Sequence, residues 1–309
     1  MSLPVLIDTD PGHDDAIAIL LALASPEVEV LGITTVGGNS GLENTTRNAL
    51  TVLEVAGRTD IAVAPGCDHP LVRPLRIADQ VHGKSGLDGP KLDPPTTEPV
   101  DAHAVDFLAE KLQTSTTPVT LVPIGPLTNI ALFLRRYPRL TEAIDRVVLM
   151  GGAIGLGNTT PAAEFNMWSD PEAADIVFRS GLDITMVGLD VTHQARLGRS
   201  HGDRLRATGR SGAFVADLLE FFVRFHERVY GLDSSPIHDA VAMADVIWPD
   251  LLQADRFHVA VETASPLTAG RTVVDRWRVT GNEVNARVGL SIDGDRFGEL
   301  LVERLSALP

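Results

Sequence analysis

Asp8, Asp10, Asp14 and Asp15 crowd into one short stretch, Asp8-Thr-Asp-Pro-Gly-His-Asp-Asp-Ala16. Carboxylates this close repel one another, and the repulsion grows where water is excluded. Pro11-Gly12 forces a tight turn, so the segment after it begins close to where the segment before it stops. The positive end of a helix offsets about 1 kcal/mol of such repulsion, too little for a buried set. A divalent cation is the better counter-charge, and an all-oxygen ligand set suits Ca²⁺ or Mg²⁺ rather than zinc. Any one of these acids also reads as a first-turn, turn or solvated strand-end residue; the cluster does not.

A second candidate group lies far along the chain, at Ser234-Ser-Pro-Ile-His-Asp-Ala-Val-Ala242. Ser235 as cap and Pro236 at the first helical position would put His238 and Asp239 in the first turn. Adjacent helical residues point about 100° apart. Asp239 could therefore reach a metal while His238 faces another part of a ligand, and the same holds for Asp14 and Asp15. His238 reads equally as a capping or packing residue, and a helix N-terminus disfavours the imidazolium a proton donor needs. His82 sits in a third place, a Pro- and Gly-rich stretch from Pro65 to Pro99. A loop of that length is functional or mobile, or a plain surface excursion.

The elements that must position these groups alternate. Val5–Ile7 reads as a strand and Ala16–Leu23 as a helix; Val28–Val36, Leu42–Ala56 and Ile61–Ala64 continue as strand, helix and strand. After the long loop come a helix (Ala102–Leu112), a strand (Pro118–Ile124), a helix (Leu127–Tyr137) and a strand (Arg146–Met150). Asp170-Pro171 opens a helix to Arg179, and Asp183–Leu189 is a strand. Helices from Gly212 to Tyr230 and from Pro236 to Ile247 follow. Strands at Phe257–Val261, Thr272–Asp275 and Val284–Ser291 precede a helix at Asp295–Leu305. The pattern predicts one α/β domain over residues 1–309 with a mainly parallel, Rossmann-like sheet and right-handed crossovers.

Ligands of such sheets bind beyond the carboxyl ends of the strands. The residues expected there are Asp10, Asp14, Asp15, Asn39, Asn158, Glu164, Asn166, Asp190 and Thr192, with the segment Gly125-Pro-Leu-Thr-Asn129. Phosphate sites want Arg, Lys or backbone nests. This rim of carboxylates and amides suits a neutral polyol. One rival is a Mg²⁺-dependent haloacid-dehalogenase-type phosphatase with Asp8 as nucleophile, but Pro11-Gly12 stands where that reading wants a Thr or Val, and no lysine can be placed near the metal.

The chain has 309 residues, 44% hydrophobic and 22% charged, and a formal net charge of −15. These totals predict a soluble globular protein with a sizeable core. The acidic balance, without any Lys/Arg run, argues against nucleic-acid binding. The apolar run Ala16–Ala24 falls well short of the ~20 residues of a membrane span, and no basic segment precedes it as in a signal peptide. The lone Cys67 fits a reducing, cytoplasmic setting.

The residues resemble the nucleoside hydrolases, the inosine–uridine-preferring and related ribonucleoside N-glycosidases. The resemblance is carried by Asp8-Thr-Asp-Pro-Gly-His-Asp-Asp-Ala16, Gly37-Gly-Asn39, Gly125-Pro-Leu-Thr-Asn129, Met150-Gly-Gly152, Ala163-Glu-Phe-Asn166 with Asp170-Pro-Glu-Ala173, and His238-Asp239. It implies a tightly bound Ca²⁺ held by Asp10, Asp15, Asp239 and the carbonyl of Ile124. It implies Asp10 as general base toward water, and Asp14, Asn39, Asn158, Glu164, Asn166 and Asp239 as the ribose grip. His238 matches the proposed proton donor to the leaving base, and the loop bearing His82 would close over that base. The implied activity is hydrolysis of ribonucleosides, inosine/uridine or pyrimidine preferring, to free base and ribose in salvage; the alternative from another class is a catalytically idle ribose or nucleoside binder that keeps the metal site. The histidine at 238 leans toward non-specific or pyrimidine-preferring members, and the family implies a homo-oligomer, a dimer or tetramer. The segment Phe221–Tyr230 should carry base contacts.

Overall fold

In the computed structural model, residues 2–309 are described. β1 (Leu3–Thr9) runs into α1 (His13–Leu23) and β2 (Val28–Thr35) into α2 (Leu42–Val55), before the short β3 (Val63–Pro65). The long loop that follows holds one turn of helix, α3 (Asp79–His82). Next come α4 (Ala104–Thr114), β4 (Val119–Pro123), α5 (Thr128–Arg136), a 3-10 segment at Pro138–Ala143 and β5 (Ile144–Met150). Then follow α6 (Phe165–Ser169), α7 (Pro171–Phe178), β6 (Ile184–Val187), α8 (Leu189–Thr192), β7 (Arg196–Gly198), α9 (Arg199–Arg206) and α10 (Arg210–Tyr230). The last elements are β8 (Ser234–Pro236), α11 (His238–Ile247), β9 (Leu252–Phe257), β10 (Val259–Val261), β11 (Thr272–Val274), β12 (Ala286–Ile292) and α12 (Gly294–Leu305).

Eight strands form one sheet in the order β3-β2-β1-β4-β5-β6-β12-β9. Every pairing is parallel except β12 with β9. Central strands covered on both faces need continuous apolar runs, and Val5-Leu-Ile7, Val119–Val122 and Val147–Leu149 are buried accordingly. Val5 and Ile7 face a core built with α1, α10, α11 and α12; Leu6 faces one built with α4, α5 and α7. α1 is buried from His13 to Ala22 because it packs under α11 as well as on the sheet. The chain leaves β1 for β2 on one side and returns to β4 on the other. Such a reversal opens a crevice at the carboxyl ends of β1 and β4.

Three expectations change. The strand expected at Phe257–Val261 is two: β9 closes the sheet edge antiparallel to β12, and β10 pairs with β11 in a separate ribbon. Ser235 does not cap a helix and Pro236 does not open one. Both lie in β8, paired with β7, and Ser235 Oγ bonds His226 Nδ1 at 3.0 Å instead. α11 begins at His238, so His238 and Asp239 still occupy its first turn. The polar helix α9 was not expected, since its charged residues hide the buried Gly202 and Leu205.

Candidate active site

β1 delivers Asp10 into the crevice, fully buried. Its Oδ2 accepts the Asn39 amide at 2.6 Å, while its Oδ1 is buried without a partner among the described residues. Two backbone segments approach this carboxylate so closely that only glycine fits. A Cβ on Gly125 would lie 2.5 Å from Oδ1, and one on Gly38 would overlap Oδ2. Asp15 is held from three sides, by Thr9 Oγ1 at 2.6 Å, the Gly12 amide at 2.9 Å and Asn39 Nδ2 at 3.1 Å.

α1 and α11 both open with a His-Asp pair, and their N-termini converge. At α1 the Gly12 amide donates to Asp15 at 2.9 Å and the His13 amide to His82 Nδ1 at 3.3 Å, while the first amides of α11, those of His238 and Asp239, bond the Asp14 carboxylate. One carboxylate oxygen each from Asp14, Asp15 and Asp239 lies within 4.8 Å of the others. Burial first, and then mutual repulsion, pushes this cluster up: Asp14 to about 7, Asp10 and Asp239 well above the usual carboxylate range. Burial raises Asp15 as well, against hydrogen bonds from Thr9 and Gly12. No cation figures among the groups acting most strongly on these acids. A buried, all-oxygen, multiply negative set with an orphaned lone pair beside it fits a hard divalent cation.

Above the cluster opens a cavity of about 770 Å³, lined by Asp14, Asn39, His82, Ile124, Asn158, Glu164, Asn166, His238 and Asp239 among others. Asp10 and Asp15 lie beneath this lining. Glu164 is immobilised by the amides of Asn166 (2.8 Å), Gly152 (2.9 Å) and Met167 (3.1 Å), and burial moves it up to about 6. Asn166 Nδ2 donates to the carbonyls of Ile124 (2.9 Å) and Met150 (3.1 Å). Asn158 is exposed at the edge, its Oδ1 accepting the Phe165 amide at 3.0 Å. His82 is buried, with Nδ1 3.0 Å from His13 Nδ1, and His13 Nε2 lies 2.8 Å from the Asp88 carbonyl oxygen. His238 is held low by burial, then by His193, His226 and Arg196.

The sequence reading pointed to the segment Phe221–Tyr230 without singling out its residues, and it missed His193 and Arg196. Phe222, Phe225, His226, Val229 and Tyr230 line the cavity from α10, together with His193 and Arg196. The α10 residues recur at helical spacing, a signal that could have found them. His13, stacked between His82 and Phe221 with centroids 5.3 and 4.9 Å away, was read only as part of a motif.

Asp8 does not line the cavity. It is buried in the sheet and bound by Thr34 Oγ1 at 2.5 Å and Asn129 Nδ2 at 2.8 Å, with burial moving it up to about 7. Its Oδ2 has no partner among the described residues, but its Oδ1 is tied to Thr34 and Asn129 rather than to the acidic cluster, so nothing at Asp8 favours the phosphatase reading. A second cavity, of about 860 Å³, is lined by Asp175, Arg179, Asp183, Arg256 and His258; it contains none of the expected residues, and Arg256 pairs with Asp183 at 2.8 Å.

Among the described residues no helix is long and apolar enough to cross a membrane. The chain is 51% identical over 308 residues to a pyrimidine-specific ribonucleoside hydrolase RihA of Shewanella sp. strain ANA-3, covering 99% of this chain and 97% of that one. It is 50% identical over 307 residues to the protein of the same name from Escherichia coli strain K12, covering 99% of each. A purine-preferring ribonucleoside hydrolase from Gardnerella vaginalis superposes with a TM-score of 0.93 at 33% identity, over 98% of both chains. A plant nucleoside hydrolase gives 0.92 at 35% identity, over 99% of this chain and 100% of its own. With residues 5–299 matching the model described as inosine-uridine preferring nucleoside hydrolase, the chain belongs to that family.

Proposed function

We propose that this protein hydrolyses the N-glycosidic bond of ribonucleosides, pyrimidine ribonucleosides foremost, to free base and ribose, with Ca²⁺ as its resident ion. The observation that carries the reading is the buried cluster of Asp14, Asp15 and Asp239 beside the orphaned Oδ1 of Asp10, beneath a cavity wall of carboxylates and amides. Asp10, Asp15, Asp239 and the Ile124 carbonyl would hold the ion. When bound, a hard cation makes water a better proton donor.

Asp10 Oδ1 accepts no hydrogen bond among the described residues, which leaves it an oxygen with which to take the proton of the attacking water. Asp14, Asn39, Asn158, Glu164, Asn166 and Asp239 accept from or donate to the ribose hydroxyls. Their oxygens also face the positive charge that develops on the sugar as the bond to the base lengthens. Because Glu164 is fixed by three amides, it reorganises little as that charge appears. His238 donates toward the leaving base, and His82 covers it. The pyrimidine preference draws on the names of the relatives that are about half identical. The whole chain, 1–309, is read as one working domain on one sheet, cytoplasmic by its lone Cys67, and a dimer or tetramer by its family.

The test is release of reducing sugar from uridine, cytidine, inosine and adenosine with Ca²⁺ present. Uridine and cytidine should turn over fastest and p-nitrophenyl phosphate not at all. The reverse would overturn the reading, and nucleoside binding without turnover would identify an idle binder.

A further inference from the structure

Thr192 has a buried hydroxyl to which the reaction above assigns no task. It ends α8, is fully buried, and places its Oγ1 2.7 Å from Nδ1 of His238. Among the described residues this is its one hydrogen-bond partner. We propose that Thr192 is a positioning residue that keeps the hydrogen of His238 on Nε2, the ring nitrogen left to the cavity. The inference rests on the reading of His238 as donor to the leaving base.

A neutral imidazole carries one hydrogen, and its place is set by what the other nitrogen bonds. A hydroxyl can donate or accept. With one acceptor in reach, the Thr192 hydroxyl donates to a bare Nδ1, and the ring hydrogen stays on Nε2. The opposite tautomer would aim a lone pair at a base that is gaining electrons from the breaking bond. The neutral ring gives the Nε2–H as a hydrogen bond and keeps its proton; the departing base takes its proton from solvent water, and Thr192 exchanges none.

The backbone is built to hold this pair together. The segment after Thr192 forms β7 and the segment before His238 forms β8, and the two pair antiparallel with Arg196 opposite Pro236. The Ile237 amide also donates to the Ala195 carbonyl at 3.0 Å, while the Ala195 amide donates to the Thr192 carbonyl at 3.1 Å. This short ribbon keeps the hydroxyl and the ring in register. Its β-branch further restricts the Thr192 side chain.

The experiment compares Thr192→Val, Thr192→Ser and His238→Ala on uridine and on p-nitrophenyl riboside, whose leaving group needs no proton. His238→Ala should lower kcat on uridine by roughly 10²-fold and leave the aryl riboside nearly unchanged. Thr192→Val should show the same split at about tenfold, and Thr192→Ser should recover most of it. In ¹⁵N-labelled enzyme the His238 Nε2 signal should be that of a protonated nitrogen, and Thr192→Val should shift it. Equal losses on both substrates, no recovery by serine, or wild-type behaviour of Thr192→Val beside a split in His238→Ala would overturn the inference alone. Absence of a split in His238→Ala would instead remove the donor reading, and this inference with it.

Discussion

In the proposed reaction Asp10 is the residue turnover should depend on most, because its Oδ1 is buried beside the acidic cluster with no hydrogen-bond partner among the described residues. Asp10→Asn keeps the size and the acceptor for the Asn39 amide but cannot take a proton. Turnover of uridine should fall by about 10²- to 10⁴-fold, with a melting temperature at least that of the parent; a near-normal rate would remove the assignment. Gly125→Ala tests the same atom from outside. Its new methyl would sit 2.5 Å from Asp10 Oδ1, so the carboxylate must move and kcat should drop by about 10²-fold. Steady-state rates beside circular dichroism distinguish this from unfolding. At this scale the acids were legible because they are neighbours in the chain. The roles of Asn129, His13 and Thr192 were not, because each acts on a residue brought close only by folding: Asp8, His82 and His238.

The decisive elements are the N-termini of α1 and α11, which bring Asp14, Asp15 and Asp239 together; the Gly12 amide bonds Asp15 and the first amides of α11 bond Asp14. The helix pattern revealed both. The sequence reading misplaced Ser235 and Pro236 because a Ser-x-Pro-like start satisfies helix rules locally. The distant partner β7 decides that they form a ribbon instead. β9 was overlooked for a similar reason: only Leu252 and Phe257 in it are buried, and its pairing at a sheet edge leaves Arg256 and Asp255 in solvent. The cap of α7, by contrast, was readable from Asp170-Pro171. Asp170 accepts the Ala173 amide at 3.0 Å, the Leu71 amide at 2.8 Å and the Thr128 hydroxyl at 2.7 Å. Asp170→Ala should cost about 2 kcal/mol, read from denaturant melts. It should also speed protease cleavage in the loop near Leu71.

Over the whole molecule, buried acids govern how stability varies with pH. Asp8 and Asp14 stand at about 7 and Glu164 at about 6 in the folded protein, against ordinary values of 3.8 and 4.5. The fold therefore binds protons more tightly than the unfolded chain. The stability these groups contribute is full below about pH 4 and is lost as pH rises through 6 to 7. Burial pushes the proposed ion ligands Asp10, Asp15 and Asp239 up in the same way, and a bound divalent cation would take the place of their protons. In chelator, the melting temperature should fall between about pH 5.5 and about pH 8. Calcium should raise it at both, and more at the higher pH. A calcium effect that is absent, or the same at both, would count against the ion.

Asp14 and Asp15 are made near the start of the chain and Asp239 near its end. A nascent or truncated polypeptide that stops before α11 therefore owns two of the three buried carboxylates and has no way to gather the third. On the proposed function, such a copy should neither gather the clasp nor consume nucleosides, because segments more than 220 residues apart must first meet.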